Sequence, residues 1–188
     1  GAEHLATGRP IENPQADYSK TGKAELVYPG PLGGHNWNPV SWNPGTGLLY
    51  FSELQMPSVY KTDNAVGFKE NGRRYNMALD MAGMMDTPQF LAELRNPRGS
   101  LIAWDVANAK IDWQVPQPLP TNGGTLSTAG NLVFHGTADG RLVAYAADSG
   151  KQLWEGRTFG GVQAGPVSYA VDGRQYVAAG IGWGGGHG

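Results

Sequence analysis

The side chains able to do chemistry in this sequence are few, and what is missing narrows the field first. There is no Cys, which removes disulfides, thiolate metal sites, c-type haem attachment and Cys nucleophiles. His4, His35, His135 and His187 have no ligand-like spacing and read as structural or exposed, with His35 of interest because it adjoins Asn36. Asp105, Asp139, Asp148 and Asp172 sit in turn-like contexts, where turn formation explains them. Gly180, Gly182 and Gly185 satisfy a G-x-G-x-x-G pattern, but a dinucleotide site needs a helix next and three residues remain. That leaves amides and indoles beside glycine pairs: Gly33-Gly34-His35-Asn36-Trp37 and Asn122-Gly123-Gly124. An Asn amide offers both a donor and an acceptor to a ligand oxygen or carboxylate. Paired glycines let backbone approach a flat ring closely. Structural alternatives stand beside this: a capped turn above a buried Trp for Asn36-Trp37, and an ordinary turn for Asn122.

The elements that must position these groups are read from composition and rhythm. The 188 residues suffice for one domain with a real core. Gly and Pro number 29 and 13, well above their average combined share of roughly 12%. Charged residues are only 16%, and aromatics reach 10% with six Trp, the reverse of a disordered chain. Many short strands joined by tight turns fit that composition. A net charge of −2 with no run of Lys or Arg argues against nucleic acid and anionic membrane as partners. No apolar run approaches the roughly 20 residues of a membrane span. Gly1-Ala2-Glu3-His4 carries no initiator Met and reads as a processed or truncated beginning.

Two eleven-residue segments repeat. Ala103 to Trp113 and Ala144 to Trp154 share Ala beside an aromatic, Lys at the eighth place and Trp at the eleventh. The two Trp are 41 residues apart, and about 40 to 45 residues is the period of a four-stranded propeller blade. Leu132–His135, Arg141–Tyr145 and Lys151–Trp154 alternate around turns at Asp139-Gly140 and Ser149-Gly150, where Gly supplies the positive φ of a tight hairpin. Pro39-Val40-Ser41-Trp42 echoes Pro166-Val167-Ser168-Tyr169, each followed by a Gly turn and a strand, Leu48–Phe51 and Gln175–Ala179. Residues 61–98 break the rhythm and hold four of the five Met. Within them Asp86-Thr87-Pro88 predicts one short helix, with Phe90, Leu91 and Leu94 inward and Asn96-Pro97 as its stop.

The fold expected is all-β: a partial β-propeller of about three four-stranded blades. Residues 99–188 make about two of them and 24–60 part of a third, with 61–98 an insertion or lid between blades. Trp113 and Trp154 are expected at equivalent places on outermost strands, both largely buried against the next blade. A ring closes with at least about four blades, so more chain or a partner chain is required.

The repeated segment resembles the tryptophan-docking motif of quinoprotein dehydrogenase propellers, with Ala109 in place of its turn Gly and Ala146 in place of its Asp. Thr7-Gly8-Arg9-Pro10-Ile11-Glu12-Asn13-Pro14 and Gly33-Gly34-His35-Asn36-Trp37-Asn38-Pro39 also resemble segments of these alcohol dehydrogenases, which use pyrroloquinoline quinone (PQQ). The run from Asn122 to Gly140 is similar to a long signature of the family, and Gly180 to Gly185 to the segment that closes its propeller.

The resemblance implies eight blades, a quinone on the pseudo-symmetry axis, a Ca²⁺ ion that polarises it and an aspartate base. Carried over, it makes Asn36, Trp37, Asn122 and Trp183 the cofactor-binding residues, although Trp183 also has a plain core reading. Asn122 stands where the methanol-oxidising branch has Trp, which favours the general alcohol dehydrogenase branch. The family's Ca²⁺ ligands, catalytic aspartate, vicinal disulfide and quinone-stacking Trp belong to the preceding part of the propeller. No catalytic or metal residue is therefore assigned in this chain, and alone it is expected to be inactive. The implied reaction is oxidation of a small alcohol to an aldehyde with two electrons passed to the quinone. The implied partners are the N-terminal remainder of the propeller or a complementary chain, and a cytochrome c acceptor, in the periplasm. The rivals are a non-catalytic β-propeller scaffold of the bacterial envelope and an inactive fragment. A scaffold has no need of the polar Asn36-Trp37 pair near the axis.

Overall fold

The structure, a computed structural model, describes residues 3–4, 8–11, 13–14, 17–62, 88, 92, 98–120 and 122–182. In chain order the first elements are β1 (Glu3–His4), β2 (Arg9–Pro10), α1 (Tyr18–Thr21), β3 (Glu25–Val27), β4 (Ser41–Asn43), β5 (Leu48–Gln55) and β6 (Ser58–Tyr60). There follow β7 (Arg98–Asp105), β8 (Lys110–Gln117), β9 (Thr125–Thr128), β10 (Leu132–Thr137), β11 (Arg141–Ala146), β12 (Gln152–Arg157), β13 (Val167–Val171) and β14 (Arg174–Ala178). Among the described residues no helix is long and apolar enough to cross a membrane. Two compact units result: Gly1–Pro31 with Pro57–Arg95, and Leu32–Met56 with Asn96–Gly188.

In the first unit β1 pairs with β2 and β3 with β6, both antiparallel. The single turn α1 exists because both its ends are capped. Asp17 Oδ1 accepts from the amides of Ser19 at 3.1 Å and Lys20 at 3.3 Å, and Gly22 closes the turn at φ 64°. The hydrogen bond from Lys20 holds the Asp17 carboxyl down at about 2. Tyr18 stacks on Tyr60 with ring centroids 5.4 Å apart. The helix expected from Asp86 lies outside the described residues, save for Pro88 and Ala92, which are helical and exposed.

The second unit holds two four-stranded antiparallel sheets, β4-β5-β7-β8 and β9-β10-β11-β12, and the hairpin β13-β14. Each four-stranded sheet is a blade of a β-propeller. The innermost strands β4 and β9 meet: Ser41 Oγ lies 2.8 Å from Thr125 Oγ1, and Ser127 Oγ donates to the Trp42 carbonyl at 2.9 Å. Strict alternation along β5 buries Leu48, Tyr50, Ser52 and Leu54 on one face. Leu48 and Tyr50, with Leu101 and Ala103 of β7, close on Val133, Val143 and Tyr145 of the next blade to form the core.

The blades are divided differently from the sequence reading. β5 is hydrogen-bonded to β7 along its whole length, from Leu48↔Asp105 to Gln55↔Arg98. Residues 41–55 therefore complete one blade with 98–117, and the segment 61–98, expected between blades, joins two neighbouring strands of a single blade. An antiparallel neighbour requires only that the chain re-enter the sheet at the end where it left. The third blade is represented by β13 and β14.

The repeat itself is structural. Ala103 pairs with Trp113 and Ala144 with Trp154, and a bulge follows at Ala103/Trp104 in one blade and Ala144/Tyr145 in the other. Trp113 docks against the next blade, though it is half-buried rather than largely buried. Its Nε1 donates to the Ala147 carbonyl at 3.0 Å, and its ring lies so close over Gly150 that a Cβ there would come within 2.6 Å of Cε3. Trp154 does not, being 52% exposed. The cover on Trp113 is the β11–β12 turn of the following blade. After β12 the described residues supply only the first two strands of a blade, so no such turn lies over Trp154.

Ala109 occupies the turn position that Gly150 holds in the next blade, and it takes the same left-handed conformation, φ 51° against 68°. An alanine there carries about 1–2 kcal/mol of steric cost, against about 0.5–1 kcal/mol for the extra chain entropy that Gly loses on folding. Ala109→Gly is expected to raise stability by about 0.5–1 kcal/mol, read as a higher urea midpoint. A lower midpoint would contradict this account of the turn.

Candidate functional site

Three chain segments lead into innermost strands at one end of the blades: 36–40 into β4, 122–124 into β9 and 162–166 into β13. They are packed backbone to backbone. A Cβ on Gly123 would fall 2.2 Å from the Val162 carbonyl oxygen, and one on Gly124 would fall 2.7 Å from Pro39 Cδ and 2.9 Å from Gly165 Cα. The glycine pair is therefore required by the approach of neighbouring segments. The Thr125 amide donates to the Pro39 carbonyl at 2.9 Å, the Gly123 amide to Gly136 at 2.9 Å, and the Val162 amide to Thr137 at 3.0 Å. Ser52 Oγ of β5 donates to the Gly123 carbonyl at 3.0 Å.

The loop from Gly33 to Asn38 is held from below. The Leu54 amide donates to the Gly34 carbonyl at 2.8 Å. His35 Nδ1 lies 2.8 Å from the Ser52 carbonyl, which can only accept, so Nδ1 carries the proton. The same ring sits edge-on to Phe51, centroids 5.5 Å apart. Asn36 is half-buried. Its Nδ2 donates to the Leu32 carbonyl at 3.0 Å, and its Oδ1 accepts from the Trp37 amide at 2.8 Å. This is a capped turn, with one N–H and one lone pair of the amide left over. Trp37 is not the buried ring of the alternative reading, for it is 67% exposed.

Asn122 is placed differently from a ligand contact. It is 1% exposed; its Nδ2 donates to the Leu119 carbonyl at 2.6 Å and its Oδ1 accepts from the Ala138 amide at 3.1 Å. An amide so enclosed supports the loop from within. Trp183 lies outside the described residues; Gly182 before it bridges to Val162 and donates to the Gly161 carbonyl at 2.7 Å. The structure thus brings the Asn36-Trp37 loop and the Asn122 loop together, with the indole of Trp37 facing outward.

Two further residues at this junction have no site role in the sequence reading. Asn38 donates to carbonyls of both other segments. His135 of β10 is wholly buried, its Nδ1 3.4 Å from the Gly124 carbonyl and its Nε2 without a partner. Burial holds its pKa down at about 4. Among the described residues no group of three or more His, Cys, Asp or Glu could hold a metal ion.

Two blades with tryptophan-bearing outer strands, joined through glycine-rich segments at the inner strands, define a portion of a β-propeller. The chain belongs to the PQQ glucose/ethanol/alcohol dehydrogenase β-propeller family, whose model matches residues 9–177. It is 44% identical over 181 residues to the quinohemoprotein alcohol dehydrogenase ADH IIB of Pseudomonas putida, covering 96% of this chain and 25% of that protein. The solved structure of quinohemoprotein alcohol dehydrogenase ADHIIG from Pseudomonas putida superposes with a TM-score of 0.85 at 43% identity, over 97% of this chain and 27% of that one. That of the quinohemoprotein alcohol dehydrogenase from Comamonas testosteroni gives 0.78 at 40% identity, over 94% and 26%. The chain thus spans about a quarter of the length of the relatives it matches.

Proposed function

We propose that this chain supplies one wall of the quinone site in a PQQ-dependent alcohol dehydrogenase, an oxidoreductase converting a small alcohol to an aldehyde. The observation that carries the reading is the indole of Trp37, two-thirds uncovered at the end of the blades where three segments converge. A large apolar ring left in water on a firmly held loop is suited to cover a flat ligand. The fit is with a planar, polar-edged group: the Trp37 face beside it, the remaining N–H and lone pair of Asn36 at its edge, and little side-chain bulk at Gly33-Gly34. Bound there, PQQ would take up the two electrons of the alcohol.

The residues of this chain then bind and orient. Trp37 stacks and excludes water from one face. Asn36 holds Trp37 by accepting from the Trp37 backbone amide at Oδ1, and meets a ligand oxygen. Asn122 shapes the neighbouring loop from inside. The described residues do not fit a Ca²⁺ site, so the ligands of that ion and the base belong to residues outside them. The Pseudomonas putida and Comamonas relatives are named quinohemoproteins, which favours a haem protein as the electron acceptor.

Trp37→Ala tests the site with little disturbance to this chain's own packing, because the ring is two-thirds exposed within it. In the complete enzyme the variant is expected to keep its melting temperature within a degree or so. PQQ binding, followed by titrating apoenzyme, should weaken about tenfold, in line with a lost aromatic stack and its buried area. Unchanged affinity in a normally folded variant would overturn the assignment.

A further inference from the structure

Asn38 ties its own segment to both of the other converging segments through one side chain. It is 7% exposed, and its Nδ2 donates to the Asn122 carbonyl at 3.1 Å and the Gln163 carbonyl at 3.4 Å, partners 84 and 125 residues away in the chain. Both partners are carbonyl oxygens and can only accept, so the amide orientation is determined: nitrogen toward the two carbonyls, Oδ1 away. Both hydrogens of one amide thus bridge from the first blade to the loops opening the second and third. On one side of Asn38 is Trp37, whose ring is otherwise uncovered. On the other is Pro39, whose ring packs at 2.7 and 2.9 Å from the positions that side chains on Gly124 and Gly165 would take. Pro39 supplies shape and an acceptor for the Thr125 amide, and the Asn38 amide adds a directional restraint that reaches both loops.

We propose that Asn38 is the positioning residue of the cofactor end: by holding the Asn122 and Gln163 carbonyls it sets the indole of Trp37 relative to the two adjoining loops. This rests on the quinone reading above. Asn38 does not touch the ligand in this role; it acts through Trp37 and the backbone at Asn122 and Gln163. The residue is needed as an amide because the partners demand two donors from one short side chain. A carboxylate of the same shape presents only acceptors, and so faces two carbonyl oxygens with oxygen.

The test uses the complete enzyme that carries this segment, with PQQ as the probe titrated into apoenzyme. Binding is followed by quenching of tryptophan fluorescence and by the absorption of the bound quinone. Asn38→Asp is expected to weaken PQQ binding about tenfold or more and to shift that absorption, because two buried hydrogen bonds are lost. Asn38→Ser, which keeps one donor, should lose less and serves where the Asp variant does not fold. Trp113→Ala is the control: it loosens the same blade at its outer strand and should lower the melting temperature with PQQ affinity intact. If the Asn38 variants lower only the melting temperature, with PQQ affinity within twofold of the parent, Asn38 is merely structural and the proposal is overturned. Trp37→Ala separates the two readings. Loss of affinity there with none in the Asn38 variants sinks the positioning role alone; no loss in any of them sinks the quinone site itself.

Discussion

Trp113→Ala is expected to lower the free energy of unfolding by about 3–4 kcal/mol, and Trp154→Ala by about 1 kcal/mol. The two tryptophans are register equivalents on outer strands, so their difference isolates docking. Deleting a large buried aromatic costs about 3–5 kcal/mol. Trp113 belongs at the lower end because its ring is half-buried, lying against Tyr50 at 5.6 Å and over Gly150. Its indole hydrogen bond is a small share of the total. The Ala147 carbonyl it meets also accepts from Tyr50 Oη at 2.8 Å, so no buried acceptor is orphaned when the indole goes. Trp154, which in this chain has half its surface in water because the described residues supply only two strands of the following blade, forfeits much less. Urea titrations followed by circular dichroism would measure both. Equal costs would mean that the ring's contact with the following blade contributes nothing.

The second large effect is a loss of stability on acidification that begins well above the carboxylate range. His135 is wholly buried; desolvation is the main cause that lowers its pKa from 6.5 to about 4, with Arg141 acting the same way and the Gly124 hydrogen bond opposing. The Gly124 carbonyl selects the Nδ1–H tautomer. Nε2 is then a bare lone pair, and protonating it would create a buried charge with no acceptor. The unfolded chain binds this proton below pH 6.5 and the folded chain only below about 4, so the unfolded state holds more protons between those values. Stability is therefore fully present above pH 6.5 and is lost as pH falls toward 4, by up to about 3 kcal/mol. Asp105 and Asp139, whose pKa values are also lowered, act at more acid pH, below 3.8. His135→Phe should flatten the urea midpoint between pH 6.5 and 4 and leave the steeper acid limb. A slope unchanged in that variant would assign the window to other groups.

What the sequence disclosed was local. The tandem Trp segments, the Gly140 and Gly150 turns and the alternation of Leu132–His135 are short-range patterns, and the strands and turns appear where those patterns put them. Blade membership was not legible, because β5 and β7 are neighbours only in space and nothing in either run names its partner. The same limit explains the site. Asn36 and Trp37 stood out by type and by their glycine setting. Asn122 looked like a loop residue open to ligand; its burial depends on Leu119 and Ala138, which are ordinary in sequence. Asn38 was invisible because its partners are backbone carbonyls, which every residue has. Trp154 matched Trp113 in pattern, but burial is decided by what the next blade lays over it.

The excursion that leaves the first blade at Gln55 and returns at Arg98 also bears on how this chain folds. The second blade, Thr125 to Arg157, is contiguous, and each of its strands meets its neighbour across a tight turn. Pairing β5 with β7 must instead close a loop longer by about four doublings, at about 0.6 kcal/mol each, or about 2 kcal/mol before any ladder bond repays it. Contacts of low sequence separation form first, so the second blade is the natural nucleus, and the first is assembled upon it. During synthesis β4 and β5 emerge before β7, and the far edge of β5 stays without hydrogen-bond partners until β7 arrives. That transient open edge is where misassociation is most to be expected. Lengthening or shortening the excursion should then change the speed and yield of folding far more than the stability of the finished blade.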